Sequence, residues 1–247
     1  MEIISNIKKT KEEGGKQIAL LIDPDSLKSH DQVLDIANKV NKSKIDFLLF
    51  GGSLITAPED IDPLAILKKS VEIPVLLFPS SPAQIRREAD GILFLSLLSG
   101  RNPEYLIGHH VVAAPLLKNS GLEVLPTGYL LVGCGKPTTA EYISGTPPIP
   151  YEKPEIAATT ALAGEYLGLK LIYLDGGSGA ERPISEEMIK AVSENITVPL
   201  IVGGGIRKTS DLINAFSSGA DLVVVGTAFE ENPDFVEELD YAKKWAG

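Results

Sequence analysis

The stretch LIVGGGIRKTSDLINAFSSGADLVVVGTAF, residues 200–229, holds two apolar runs separated by one amphipathic segment. Leu200–Val202 and Leu222–Val225 are continuously apolar, as a parallel strand covered on both faces requires. Between them Ser210–Ser217 has helical spacing and starts at a Thr209–Ser210 capping pair. Each apolar run ends in glycine, at Gly203 and at Gly226. The pattern is strand, loop, helix, strand, the crossover that joins parallel neighbours.

Working outward, the unit recurs along the chain. Six further apolar runs read as strands: Ile18–Ile22, Phe47–Phe50, Val75–Phe78, Ile92–Leu95, Gly128–Val132 and Leu171–Leu174. Helical patterns fall between or after them at Gln32–Val40, Pro63–Lys69, Pro103–Lys118, Glu155–Leu167, Glu186–Glu194 and Pro233–Trp245. Eight strands alternating with helices, with no linker or low-complexity tract, predict an α/β fold. The expected form is a single (β/α)8 TIM-type barrel spanning residues 1–247. A doubly wound open sheet would need fewer strands or an extra domain. One crossover is short: only PSSPAQIRREADG separates Phe78 from Ile92. A shortened or degenerate third helix there would open the barrel wall.

The bulk numbers narrow the function. With 247 residues and 44% hydrophobic content the chain can bury a large core. Its net charge of −10 argues against a nucleic-acid surface, which needs clustered Lys and Arg. A local pocket can still bind anions against that global sign. Cys134 is the single cysteine, so no intramolecular disulfide is possible and a reducing cytoplasm is expected. The N-terminal MEIISNIKKTKEEGGK lacks a signal peptide's apolar core, and no apolar run reaches membrane-spanning length.

In such a barrel the chemistry sits at the C-terminal ends of the strands. There the sequence places DPD (Asp23–Asp25), GGS (Gly51–Ser53), SLLSGRN (Ser96–Asn102), DGGSG (Asp175–Gly179), GGGIRK (Gly203–Lys208) and GTAF (Gly226–Phe229). Glycines at strand tips either permit tight turns or leave backbone N–H groups for an anion. A phosphate gripped by the last two loops is recurrent in this fold, and Gly204, Gly205, Gly226 and Thr227 suit it. Asp23 and Asp25 offer hard oxygen ligands for Mg²⁺, with Ser53 adding a hydroxyl; the same DPD also suits a helix cap. Asp175 is either a base or orienting group for a hydroxyl, or a buried acceptor of loop N–H bonds. Arg101 suits a second anionic group such as a diphosphate. His30, His109 and His110 lack zinc-ligand spacing.

With LLIDPD, LLFGGS, LSLLSGRNPEYLIG, GYLLVG, IYLDGGSGA, VGGGIR and VVVGTAF in this order, the chain resembles the geranylgeranylglyceryl phosphate synthases, a family that includes heptaprenylglyceryl phosphate synthases. The resemblance spans nearly the whole chain. It implies a prenyltransferase that joins the 3-hydroxyl of sn-glycerol 1-phosphate to a polyprenyl diphosphate, releasing diphosphate, with Mg²⁺ as cofactor. It implies Mg²⁺ positions at Asp23 and Ser53. It implies glycerol phosphate contacts at Tyr173, Leu174, Asp175, Gly176, Gly177, Ser178, Gly179, Gly204, Gly205, Gly226 and Thr227. A degenerate third helix that leaves a lipid groove is a further implication. Two positions depart from the family pattern: Asp175 stands where glutamate is frequent, and Leu21 where lysine is frequent. Lys136 or Arg207 would then supply the missing phosphate contact.

Two rivals make different demands. An isomerase or lyase of a phosphorylated metabolite needs no long apolar groove, and a non-catalytic ligand-binding barrel needs neither Asp23 nor Asp175. A homo-oligomer is expected, with Tyr142 and the TPPIPYEKP segment (Thr146–Pro154) as one anchor or, equally, a plain surface loop. Transient contact with a membrane surface would suit release of a lipid product.

Overall fold

A computed structural model describes residues 2–54, 61–236, 238, 239 and 243. Eight parallel strands close into a barrel in chain order, the last pairing with the first. They are β1 (Gln17–Ile22), β2 (Phe47–Phe50), β3 (Val75–Leu77), β4 (Gly91–Leu97), β5 (Glu123–Leu131), β6 (Leu171–Asp175), β7 (Leu200–Gly203) and β8 (Leu222–Val225). Alternation divides the core into two shells. Ala19, Phe47, Leu49, Leu76, Leu93, Leu125, Tyr173 and Ile201 fill the interior. Leu20, Leu48, Val75, Ile92, Leu174, Val202 and Val223 face the surrounding helices.

The helices of that outer layer are α2 (His30–Lys42), α3 (Pro63–Ser70), α4 (His109–Lys118), α5 (Thr139–Ser144), α6 (Pro154–Tyr166), α7 (Glu186–Ser193), α8 (Thr209–Ser217) and α9 (Thr227–Glu231), with α1 (Ile3–Glu12) ahead of them all. Their starts follow local chemistry. Ser29, Asp62, Thr138 and Ser185 each accept a backbone N–H of the first turn. The charged N-terminal segment forms α1, whose Ile3 and Ile7 plug the bottom of the barrel. No helix among the described residues is long and apolar enough to cross a membrane.

The short crossover behaves as its length demands. Between β3 and β4 there is only a 3-10 turn, Pro82–Gln84, and no α-helix. Two expectations change. Residues 103–118 are not one α-helix: a π-helical turn over Glu104–Gly108 precedes α4. Strand β5 starts at Glu123 rather than Gly128 and runs through Pro126, which periodicity alone treats as a break. The helix expected over 233–245 falls partly outside the described residues.

Candidate active site at the barrel mouth

Loops after β6, β7 and β8 converge at the C-terminal end of the barrel. Asp175, the last residue of β6, is buried with both oxygens engaged: Oδ1 accepts the Gly177 N–H at 2.7 Å, and Oδ2 accepts the Tyr129 hydroxyl at 2.6 Å. No cation pairs with it among the described residues. Burial therefore pushes its carboxyl above the ordinary range, against the two hydrogen bonds that favour the charged form. Asp175 is thus the buried acceptor of a loop N–H, and it also lines the cavity. Tyr129 and Tyr173 are paired in register on β5 and β6, and with Phe78 they form an aromatic wall. Ring centroids lie 5.6 Å apart for Phe78–Tyr173 and 5.5 Å for Tyr129–Tyr173.

The glycines are required twice over. Gly177, Gly204 and Gly205 sit at φ +82°, +83° and +72°, where a side chain is strained. A Cβ on Gly204 would stand 2.7 Å from the Gly176 nitrogen, and one on Gly205 would run into the Arg182 carbonyl. The β6 and β7 loops thus pack backbone to backbone, and the cavity is walled beside that contact by Gly177, Ser178, Gly204, Gly205, Gly226 and Thr227. Three residues implied by resemblance lie outside this wall. Leu174 faces the helices, the Gly176 N–H is spent on the Gly203 carbonyl at 2.9 Å, and Gly179 makes the turn that follows, at φ +74°.

Asp23 follows β1, the strand that pairs with β8. Its Oδ1 accepts the Asp25 N–H at 2.9 Å and so caps the 3-10 turn Pro24–Ser26. Asp23 lines the cavity with Gly52 and Ser53, whereas Asp25 does not. A Cβ on Gly52 would press on Asp23 Oδ2 at 3.1 Å, so glycine keeps the space over that oxygen clear. Burial holds the Asp23 carboxyl above its ordinary range. A carboxylate plus a hydroxyl suits Mg²⁺, which takes few protein ligands and completes its shell with water and substrate phosphate. Among the described residues no group of three or more His, Cys, Asp or Glu could hold a metal by itself.

From this mouth the cavity runs over the barrel wall where the helix after β3 is missing. Pro82, Ile85, Ile92, Phe94, Tyr105 and Ala113 line this groove. His110 also lines it, edge-on to Phe94 at 4.4 Å, with Nε2 3.1 Å from the Ser96 hydroxyl and, among the described residues, no hydrogen-bond partner for Nδ1. The sequence reading passed over Tyr129 and Phe78, and of His110 it said only that zinc-ligand spacing is lacking. The alternating pattern of β5 could have pointed Tyr129 inward, but nothing local marks Phe78 or His110. Other expectations fail on geometry. Arg101 is off the cavity wall, and its Nη1 donates to the Leu98 and Gly100 carbonyls, at 2.9 and 2.7 Å. Lys136 is off the cavity wall and pairs with Glu181. Tyr151 is covered by Arg182, 3.4 Å from its ring centroid, and donates to the Pro183 carbonyl, so it is no free anchor. Cys134 is buried and its thiol is pushed up to about 12, which leaves it inert.

These features define a class: a closed (β/α)8 barrel in which a glycine-walled mouth and an apolar side groove share one cavity. The chain belongs to the PcrB family, whose model matches residues 8–243. It is 50% identical over 226 residues to the geranylgeranylglyceryl phosphate synthase of Spirosoma linguale, covering 92% of this chain and 90% of that one. It superposes, with a TM-score of 0.89 and 30% identity, on the crystal structure of (S)-3-O-geranylgeranylglyceryl phosphate synthase from Thermoplasma acidophilum in complex with sn-glycerol-1-phosphate, covering 100% of this chain and 98% of that one. The tryptophan synthase alpha chain of Legionella pneumophila, at 15% identity and a TM-score of 0.64 over 99% of this chain and 98% of that one, shares the fold alone.

Proposed function

We propose that this chain is a prenyltransferase of membrane lipid biosynthesis that joins the 3-hydroxyl of sn-glycerol 1-phosphate to C1 of a polyprenyl diphosphate, with geranylgeranyl diphosphate as the natural donor. One observation carries the reading: a glycine-walled anion end and an apolar groove, opened by a missing helix, meet at Asp175 and Asp23 in one cavity. A small phosphorylated metabolite alone has no use for the groove. The active unit is the one barrel over residues 1–247.

The chain's own groups divide the work. Gly177, Ser178, Gly204, Gly205, Gly226 and Thr227 hold the glycerol phosphate and aim its 3-hydroxyl, which turns a bimolecular encounter into an oriented one. Ile85, Ile92, Phe94 and Ala113 hold the prenyl tail. The C1–O bond to diphosphate breaks, the new C1–O ether bond forms, and the hydroxyl proton passes to Asp175. The faces of Phe78, Tyr129 and Tyr173 favour the cationic character at C1. Tyr129 fixes Asp175 through its hydroxyl, and burial makes that carboxylate a stronger base than an exposed one. Asp23 and Ser53 would hold Mg²⁺, which when bound supplies charge neutralisation for the diphosphate.

Purified protein incubated with labelled sn-glycerol 1-phosphate, Mg²⁺ and polyprenyl diphosphates of graded length should yield labelled ether and diphosphate. Saturable glycerol phosphate binding with no prenyl product at any length would replace this reading with a binding barrel or a metabolite isomerase. A homo-oligomer and a cytoplasmic location with transient membrane contact belong to the same proposal. Tyr142, 85% exposed, is the aromatic left to anchor a subunit contact.

A further inference from the structure

Two polyanionic substrates are proposed to meet in a cavity whose described wall holds three carboxylates, Asp23, Asp175 and Glu230, and a single Lys or Arg side chain, Arg207. The backbone cradle supplies dipoles but no whole charge. Other cations near the phosphate loops lie off the cavity wall: Lys136 beside Glu181, and Lys208 beside Asp211. Leu21, beneath Gly226, brings only hydrocarbon to that face.

Arg207 leaves the β7 loop two residues after Gly205. Its Nη2 donates to the Ala180 carbonyl of the β6 loop at 3.4 Å, and its Nη1 lies 3.5 Å from Glu231 Oε1 in α9, beyond the β8 loop. One guanidinium from the β7 loop therefore contacts both the β6 loop and α9, the helix that follows the β8 loop. Both contacts are long, and the Arg207 and Glu231 side chains are 45% and 61% exposed. Such a pair is worth little against water. A guanidinium presents five donors in a plane that matches the edge of a phosphate, and these two contacts leave most of them unused.

We propose that Arg207 is the side-chain cation of the glycerol phosphate subsite. Without substrate it rests on Glu231 and Ala180; with substrate it exchanges Glu231 for the phosphate and closes the β7 loop over it. Glu231 is then a competitor for the same guanidinium, and its removal frees the arginine. The identity of the phosphorylated ligand rests on the proposed function; the role of Arg207 rests on its place on the cavity wall, between the β6 loop and α9.

Calorimetric titration of sn-glycerol 1-phosphate, without prenyl substrate, tests this with Arg207→Gln, Arg207→Lys and Glu231→Gln. Loss of a charge-assisted contact should weaken binding about tenfold or more in Arg207→Gln. Arg207→Lys should recover part of it, and Glu231→Gln should bind as tightly as the wild type or tighter. The KM for polyprenyl diphosphate should stay within about twofold in all three, since one bidentate contact has been altered at the other substrate. Thermal unfolding of each variant separates binding from folding. Unchanged affinity in Arg207→Gln overturns the proposal. Equal losses in Arg207→Gln and Glu231→Gln also overturn it, because they describe a loop staple and not a ligand. If the wild type fails to bind glycerol phosphate, the functional reading falls, and the same series titrated with inorganic phosphate decides Arg207 independently.

Discussion

The two ends of this barrel handle charge in opposite ways. At the bottom, an acid stands immediately before three strands and is answered twice. Asp46, Asp90 and Asp221 accept the N–H of Ile18, Val75 and Leu200 on the neighbouring strand, at 2.8, 2.8 and 2.9 Å. They pair with Lys243, Lys68 and Lys11, at 2.6, 2.8 and 2.7 Å. Glu123 does the same for the start of α1, accepting the Ile3 and Ile4 N–H groups at 2.6 and 2.8 Å. At the mouth, Asp23 and Asp175 form no ion pair among the described residues, Lys28 acts on Asp23 only from a distance, and Arg207 is weakly held. Unpaired buried charge is costly. The bottom removes that cost within the fold, while the mouth leaves it for a ligand to remove.

The contrast is broken most sharply at Asp23. Asp23→Asn should lower prenyl transfer roughly a thousandfold or more, the loss of several kcal/mol of charge stabilisation. Its melting temperature should stay near that of the wild type. Steady-state rates with Mg²⁺ and a thermal melt check both halves, and full turnover would remove Asp23 from the site. At the other end, Asp221→Ala should do the reverse. Stranding the buried Leu200 N–H and Lys11 should cost about 2–3 kcal/mol. That corresponds to roughly 5–10 °C in melting temperature for a chain of this size, with turnover per folded molecule unchanged. Chemical denaturation beside an assay at low temperature measures it.

Gly205→Ala sits between the two behaviours. Its φ of +72° and the close Arg182 carbonyl predict about 1–3 kcal/mol of strain. Because the strain falls on the cradle, the KM for glycerol phosphate should rise more than stability falls. The smallest effect is the pH response of Asp175, whose folded-state pKa is raised by burial. The ionised form is the penalised one, so stability relative to Asp175→Asn should improve as pH falls through the raised folded value. That gain is complete below the unfolded value near about 3.9. Activity moves the other way in the same window, since the base is lost. An acid limb of kcat/KM at the ordinary carboxylate position would contradict this account.

Much of this was legible locally. Leu222–Val225 and Leu200–Val202 declare buried parallel strands because every side chain is apolar, and the 79–91 crossover is too short for an ordinary helix. Asp175 and the following glycines stand out because a carboxylate and bare backbone at a strand end are expensive without a purpose. The π turn at Glu104–Gly108 was hidden, since its composition is that of a helix. Arg101 looked like a diphosphate ligand in the sequence, but its own loop carbonyls claim it.

By itself, the sequence determined the eightfold alternation, the missing third helix and the acids and glycines at the strand tips, because periodicity and chain length act over a few residues. The tertiary structure alone decided that Tyr129 holds Asp175, that the β6 and β7 loops touch through their glycines, and that Arg207 reaches from the β7 loop to the β6 loop and α9. Those contacts join residues tens of positions apart, and only barrel closure sets which of them meet.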